Sequence, residues 1–208
     1  MIQKHFIETL KTARYFQLGN PDTCEQILFV LHGYGQSAAY FIKNFEGLSE
    51  KYLIIAPEAM HQFYLSGSSG RVGASWMTKE EREVAITDNL VYLENLRNHL
   101  VYELGNKPMI VLGFSQGGAT AARWCAKLPD TVPMILWASV FPPDLAINTF
   151  PSATKHYFVL GKDDPYFKGE AYREALDFYR THGFQVNEFD GEHRIEIESL
   201  KKILEQIR

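Results

Sequence analysis

The stretch Ile27-Leu28-Phe29-Val30-Leu31 is apolar at every position, and this limits the fold more than any other feature of the chain. A strand with one wet face alternates polar and apolar side chains. An unbroken apolar run instead suits a strand covered on both faces, as in a parallel sheet held between helices. β-rich runs recur along the chain and predict strands at 14–18, 26–32, 52–56, 109–114, 132–140, 156–160 and 184–189. Helical patterns lie between them. Ile86, Leu90, Leu93, Leu96, Leu100 and Leu104 recur at helical spacing until Gly105. Thr78 followed by Glu81 reads as a capping box at the start of that helix. Ala119, Ala122 and Ala126 form a small face after Ser115, a third helix covers 170–182 before Gly183, and a last one covers 194–207. Strands alternating with helices predict an α/β fold with a mostly parallel central sheet and helices on both faces. With no repeat or linker to divide it, the chain reads as one domain over residues 1–208.

Charge narrows the function classes. The net charge is −4, with 21 basic and 25 acidic residues and no long run of either sign. That leaves no basic stripe, so a nucleic-acid partner is not expected. The two cysteines, Cys24 and Cys125, form no paired motif and suit a reducing compartment. Without a signal-peptide pattern or a long apolar span, the expectation is a cytoplasmic protein with no stable membrane insertion. The oligomeric state stays open, a homodimer included.

The segment Gly113-Phe114-Ser115-Gln116-Gly117 carries the chemistry. A serine on a tight strand-to-helix turn presents its hydroxyl above the sheet edge, and glycines two residues either side leave room for the chain to double back. Such a serine needs a base, and in this arrangement an acid and then a histidine follow it in the chain, each on a loop after a later strand. Asp163 and Asp164 lie in the turn Gly161-Lys162-Asp163-Asp164-Pro165, and Pro165 stiffens the loop beside Asp164. Either aspartate could orient the base, with Asp163 as the fallback. His193, in Asp190-Gly191-Glu192-His193, is the histidine that follows the last strand. An early glycine-bearing loop, His32-Gly33-Tyr34-Gly35, matches the loop that supplies one oxyanion-binding N–H. The backbone amides of Tyr34 and Gln116 are therefore assigned to the oxyanion hole, and His32 to bracing the loop. Trp76, Phe63, Tyr64 and Phe141 are candidates for an acyl-binding surface, with residues 60–73 read as a mobile flap and Trp76 as a wall.

Together these segments resemble the acyl-protein thioesterase, or phospholipase/carboxylesterase, family of small α/β-hydrolases. The resemblance rests on Leu31-His32-Gly33-Tyr34-Gly35, Ala56-Pro57, Ser75-Trp76, Gly113-Phe114-Ser115-Gln116-Gly117-Gly118-Ala119, Gly161-Lys162-Asp163-Asp164-Pro165 and the turn at His193. It implies an α/β-hydrolase fold with a minimal cap domain or none. It also implies a triad of Ser115, Asp164 and His193, because the family's acid is the Asp directly before Pro. The implied substrate is a small-molecule acyl ester or thioester, lysophospholipids included, hydrolysed without metal or organic cofactor. Two departures stand out. The family's Val-Pro pair after Asp-Pro is replaced by Tyr166-Phe167, and Arg194-Ile195 follows His193 where small polar residues are usual. Peptide cleavage or another acyl transfer on the same triad, and a ligand-binding protein that keeps the fold, are the rival readings.

Overall fold

Seven strands form the main sheet of the computed structural model, which describes residues 1–147, 150 and 154–207. They are β1 (Tyr15–Leu18), β2 (Gln26–Leu31), β3 (Tyr52–Pro57), β6 (Met109–Phe114), β7 (Met134–Trp137), β8 (Tyr157–Gly161) and β9 (Gln185–Phe189). Their order is β1-β3-β2-β6-β7-β8-β9. β1 is antiparallel to β3, and every other pair is parallel. The apolar runs occupy the interior. Leu28, Val30 and Leu31 of β2 are wholly buried, as are Leu53 to Ala56 of β3 and Tyr157 to Leu160 of β8.

The order reverses direction once, and this sorts the helices. The chain moves from β2 outward to β3 through a short helix, α1 (Ala38–Phe41), and a 3₁₀ stretch (Ile42–Leu48). From β3 it steps back across β2 and then on through β6 to β9. The crossovers of that return are α2 (Arg82–Leu104), α3 (Gln116–Cys125) and α4 (Glu170–Thr181). α2 packs on α3, whereas the final helix, α5 (Ile197–Ile207), packs on the 3₁₀ stretch. Helices thus cover both faces. α3 approaches the sheet closely because Gly117, Gly118, Ala121 and Ala122 are small, and its Trp124 ring meets Phe29 edge-on at 5.0 Å. Among the described residues no helix is long and apolar enough to cross a membrane.

Three sequence expectations change. Residues 60–73, read as a flap, form most of a hairpin of β4 (His61–Tyr64) and β5 (Val72–Ser75). The strand expected over 132–140 is only Met134–Trp137, because Ala138 adopts a positive φ of 49° and turns the chain away. The capping box does not form. Thr78 Oγ1 accepts a bond from the Glu80 N–H, α2 begins at Arg82, and Glu81 sits at φ 48° with its carboxylate on Lys4.

Candidate active site

Ser115 lies between β6 and α3, as the N-cap of the helix, at φ 53° and ψ −120°. Few non-glycine residues occupy this region, and strain of this kind collects at functional positions. Its neighbours explain how the turn is held. A Cβ on Gly113 would come within 2.5 Å of the Gly117 carbonyl oxygen, and one on Gly117 within 2.4 Å of the Leu31 oxygen. The Ser115 N–H donates to the Trp137 carbonyl at 2.8 Å, which ties the turn to the neighbouring strand.

The loops after β8 and β9 are stitched together. Lys162 N–H donates to the Phe189 carbonyl and Asp163 N–H to the Gly191 carbonyl, each at 3.0 Å. This brings His193 onto Asp164, with Nδ1 2.7 Å from Oδ2. Asp164 is completely buried, and its other oxygen accepts the Tyr166 N–H at 2.9 Å. An ionised carboxylate only accepts, so Nδ1 is the donor and, in the neutral ring, Nε2 keeps its lone pair. Asp163, the fallback acid, is exposed. The imidazole lies between two rings: Phe114, next to the serine, at 4.7 Å and Tyr166 at 4.6 Å between centroids.

The glycine loop after β2 meets this turn from the other side. A Cβ on Gly33 would lie 3.2 Å from the Ser115 Cβ. The loop holds its shape through side chains: Gln36 Oε1 accepts the Gly33 N–H at 2.7 Å. His32 is fully buried, and its Nε2 accepts the Ala59 N–H at 3.1 Å while Nδ1 lies 2.7 Å from the Gly33 carbonyl. Burial pushes the His32 pKa below the usual imidazole range. A neutral ring with one donor and one acceptor satisfies both contacts, so His32 braces the loop.

The Gln116 side chain adds a strut between the serine turn and the segment after β5. Its Oε1 accepts the Trp76 N–H at 3.0 Å, and its Nε2 donates to the Met77 carbonyl at 2.8 Å. The Trp76 indole N–H donates to the His32 carbonyl at 2.8 Å. The two loops that carry the Tyr34 and Gln116 amides are thereby joined by one hydrogen-bonded chain.

The expected acyl-binding residues scatter. Trp76 is wholly buried and offers no surface to a ligand; it is a brace, which corrects its reading as a wall. Phe141 is 8% exposed and packs among Phe150, Phe178 and Tyr179. Its surroundings are an aromatic core cluster. Phe63 lies 5.3 Å from the Tyr34 ring, beside the glycine loop, and strand alternation turns Tyr64 to the opposite side of β4. Sequence reading missed the Gln116 strut and the rings flanking His193. Phe114 and Tyr166 adjoin motif residues, but spacing alone gives neither ring a direction. Among the described residues no cluster of His, Cys, Asp or Glu is placed to hold a metal ion.

Comparison with known proteins agrees with this architecture. Esterase PE8 superposes with a TM-score of 0.67 at 19% identity, covering 95% of this chain and 99% of its own. Zea mays acyl-protein thioesterase 2 gives 0.67 at 16%, covering 94% and 98%. The F65L form of Arabidopsis thaliana SOBER1 gives 0.62 at 23%, covering 87% and 97%. At such identities the likeness is one of fold. In sequence, an Arabidopsis thaliana 1-acylglycerol-3-phosphate O-acyltransferase is 30% identical over 129 residues, or 61% of this chain and 28% of that protein. A probable enzyme of the same name from Oryza sativa subsp. japonica is 30% identical over 105 residues, 50% and 23%. The chain thus spans about a quarter of the length of those relatives. The profile of the alpha/beta hydrolase fold matches residues 26–188. With that match across most of the chain and a strained serine at the β6–α3 turn, the protein belongs to the α/β hydrolase fold family.

Proposed function

We propose that the chain is a serine hydrolase that cleaves carboxylic esters, thioesters included, through an acyl-enzyme. The observation that carries this reading is the buried Asp164 held at 2.7 Å on His193, on loops after the last two strands, in a chain whose strained serine lies next to a ring against that imidazole. In this reading His193 Nε2 removes the Ser115 proton as the oxygen attacks the acyl carbonyl. Asp164 keeps the proton on Nδ1 and stabilises the imidazolium that forms. The Tyr34 and Gln116 amides bind the developing oxyanion. His193 then gives its proton to the leaving group and activates the water that releases the acid. Esterases and a thioesterase among the structural neighbours support this reaction class. A fluorophosphonate probe tests it: labelling is expected at Ser115, and folded protein that resists the probe would favour a ligand-binding role.

The strut makes a second expectation. Gln116→Ala keeps the backbone amide but leaves the Trp76 N–H without its partner and the Met77 carbonyl with Ser75 Oγ alone. Misplacing an oxyanion donor by a fraction of an ångström to one ångström costs up to about 100-fold. Steady-state hydrolysis of a p-nitrophenyl ester should show kcat falling about 10- to 100-fold with KM little changed. A KM effect alone would assign Gln116 to substrate contact.

A further inference from the structure

A cavity of about 750 Å³ borders the glycine loop, with Gly35 and Gln36 forming part of its wall. That volume is within the range of small-molecule sites. Two arginines line it from different parts of the fold, Arg14 just before β1 and Arg71 just before β5. Arg71 is exposed, and its side chain forms no hydrogen bond or ion pair among the described residues. Arg14 uses one edge, its Nε and one Nη, on Glu58. The rest of its side chain remains half exposed. Glu58 cannot serve Arg71 as well. It is 3% exposed, and its oxygens also accept from Ser37 Oγ, the Ala38 N–H and Gln62 Nε2. Burial pushes the Glu58 carboxyl up, but the bonds from Arg14, Gln62 Nε2 and the Ala38 N–H outweigh it and hold the pKa below the usual carboxylate range.

The rest of the lining has two characters. Asn44 uses one amide hydrogen on the Phe41 carbonyl and keeps the other. Tyr40 is 69% exposed, and the Lys43 ammonium lies 5.2 Å from its ring centroid, adding a cation beside the cavity. Phe41 is buried and supplies an apolar floor that stacks on Phe114 at 5.8 Å. Cationic forks on two sides suit a tetrahedral anion, whose oxygens point in several directions. A planar carboxylate is satisfied by one fork in its own plane.

We infer that this cavity is a binding site for a phosphate monoester that carries an apolar group. The phosphate sits between Arg71 and the free edge of Arg14, and the apolar part lies against Tyr40 and Phe41. None of Ser115, Asp164 and His193 lines this cavity, so binding there does not depend on the hydrolase reading.

Calorimetric titration of the full chain with hexyl phosphate, inorganic phosphate, hexanoate and hexanol tests it. Hexyl phosphate should bind about tenfold or more tighter than inorganic phosphate and hexanoate, with no binding of hexanol. Arg71→Gln, a change at an exposed side chain, should weaken hexyl phosphate about tenfold, the loss of a charge-assisted bond. Without phosphate present, the same variant should hydrolyse p-nitrophenyl acetate at the wild-type rate. The Ser115→Ala protein should bind hexyl phosphate unchanged, so a failure here is distinct from a failure of the hydrolytic mechanism. Equal binding by wild type and Arg71→Gln, equal affinity for hexanoate or inorganic phosphate, or no binding of hexyl phosphate would overturn the assignment.

Discussion

Ser115→Ala is expected to lower kcat for p-nitrophenyl acetate by about 10⁶-fold, the scale seen when a hydrolase loses its nucleophile. Alanine keeps the Cβ and the backbone bonds from the Ser115 N–H to Trp137 and from the Gly118 N–H to the Ser115 carbonyl. The strained φ of 53° is no harder for alanine than for serine. A melting curve close to wild type should therefore accompany the lost turnover. Folded protein that turns over at the wild-type rate would remove Ser115 from the mechanism.

Asp164→Asn should cost about 10⁴-fold in kcat, and the local bonding shows why. One carboxylate oxygen accepts the Tyr166 N–H and the other accepts from His193. An amide has a single oxygen. Turned toward Tyr166, it presents its NH₂ to Nδ1, which then has to accept. The proton moves to Nε2, and the ring loses the lone pair that would take the serine proton. Asp163→Asn should stay within about twofold, because Asp163 is exposed and its carboxylate does not meet the imidazole. Parallel kinetics on the two variants check this, and the reverse ranking would reassign the orienting acid.

What could be read from the sequence follows from how local each signal is. β2, β3, β6 and β8 were legible because burial on both faces leaves an unbroken apolar record in the chain. That His193 meets the Asp163-Asp164 turn is legible because parallel topology brings successive loops to one edge of the sheet, whereas the choice of Asp164 comes from the family resemblance. The hairpin was not. β4 is mostly exposed and shows no apolar alternation, so only its pairing with β5 makes it a strand. Trp76 looked like a wall because a large ring after a glycine-rich loop has no stated direction. Its burial comes from bonds to His32 and Gln116, more than 39 residues away in the chain. Glu81 failed as a cap for the same kind of reason, since its partner is Lys4. α1 and its 3₁₀ continuation are too short for periodicity to reveal.

The base of the hairpin is laced to the glycine loop by main-chain hydrogen bonds. Gly35 N–H donates to Ala74, and Ala74 N–H donates to Gln36, at 2.9 and 3.0 Å. A Cβ on Gly73 would fall 2.1 Å from the Gly35 oxygen. The hairpin therefore cannot lift from its root without dismantling the loop assigned to oxyanion binding. Room to vary lies farther out, in residues 66–70, where the Gly67 and Gly70 positions have open space around them. Lengthening or shortening that outer turn would therefore leave the hydrogen-bonded root and the glycine loop as they are.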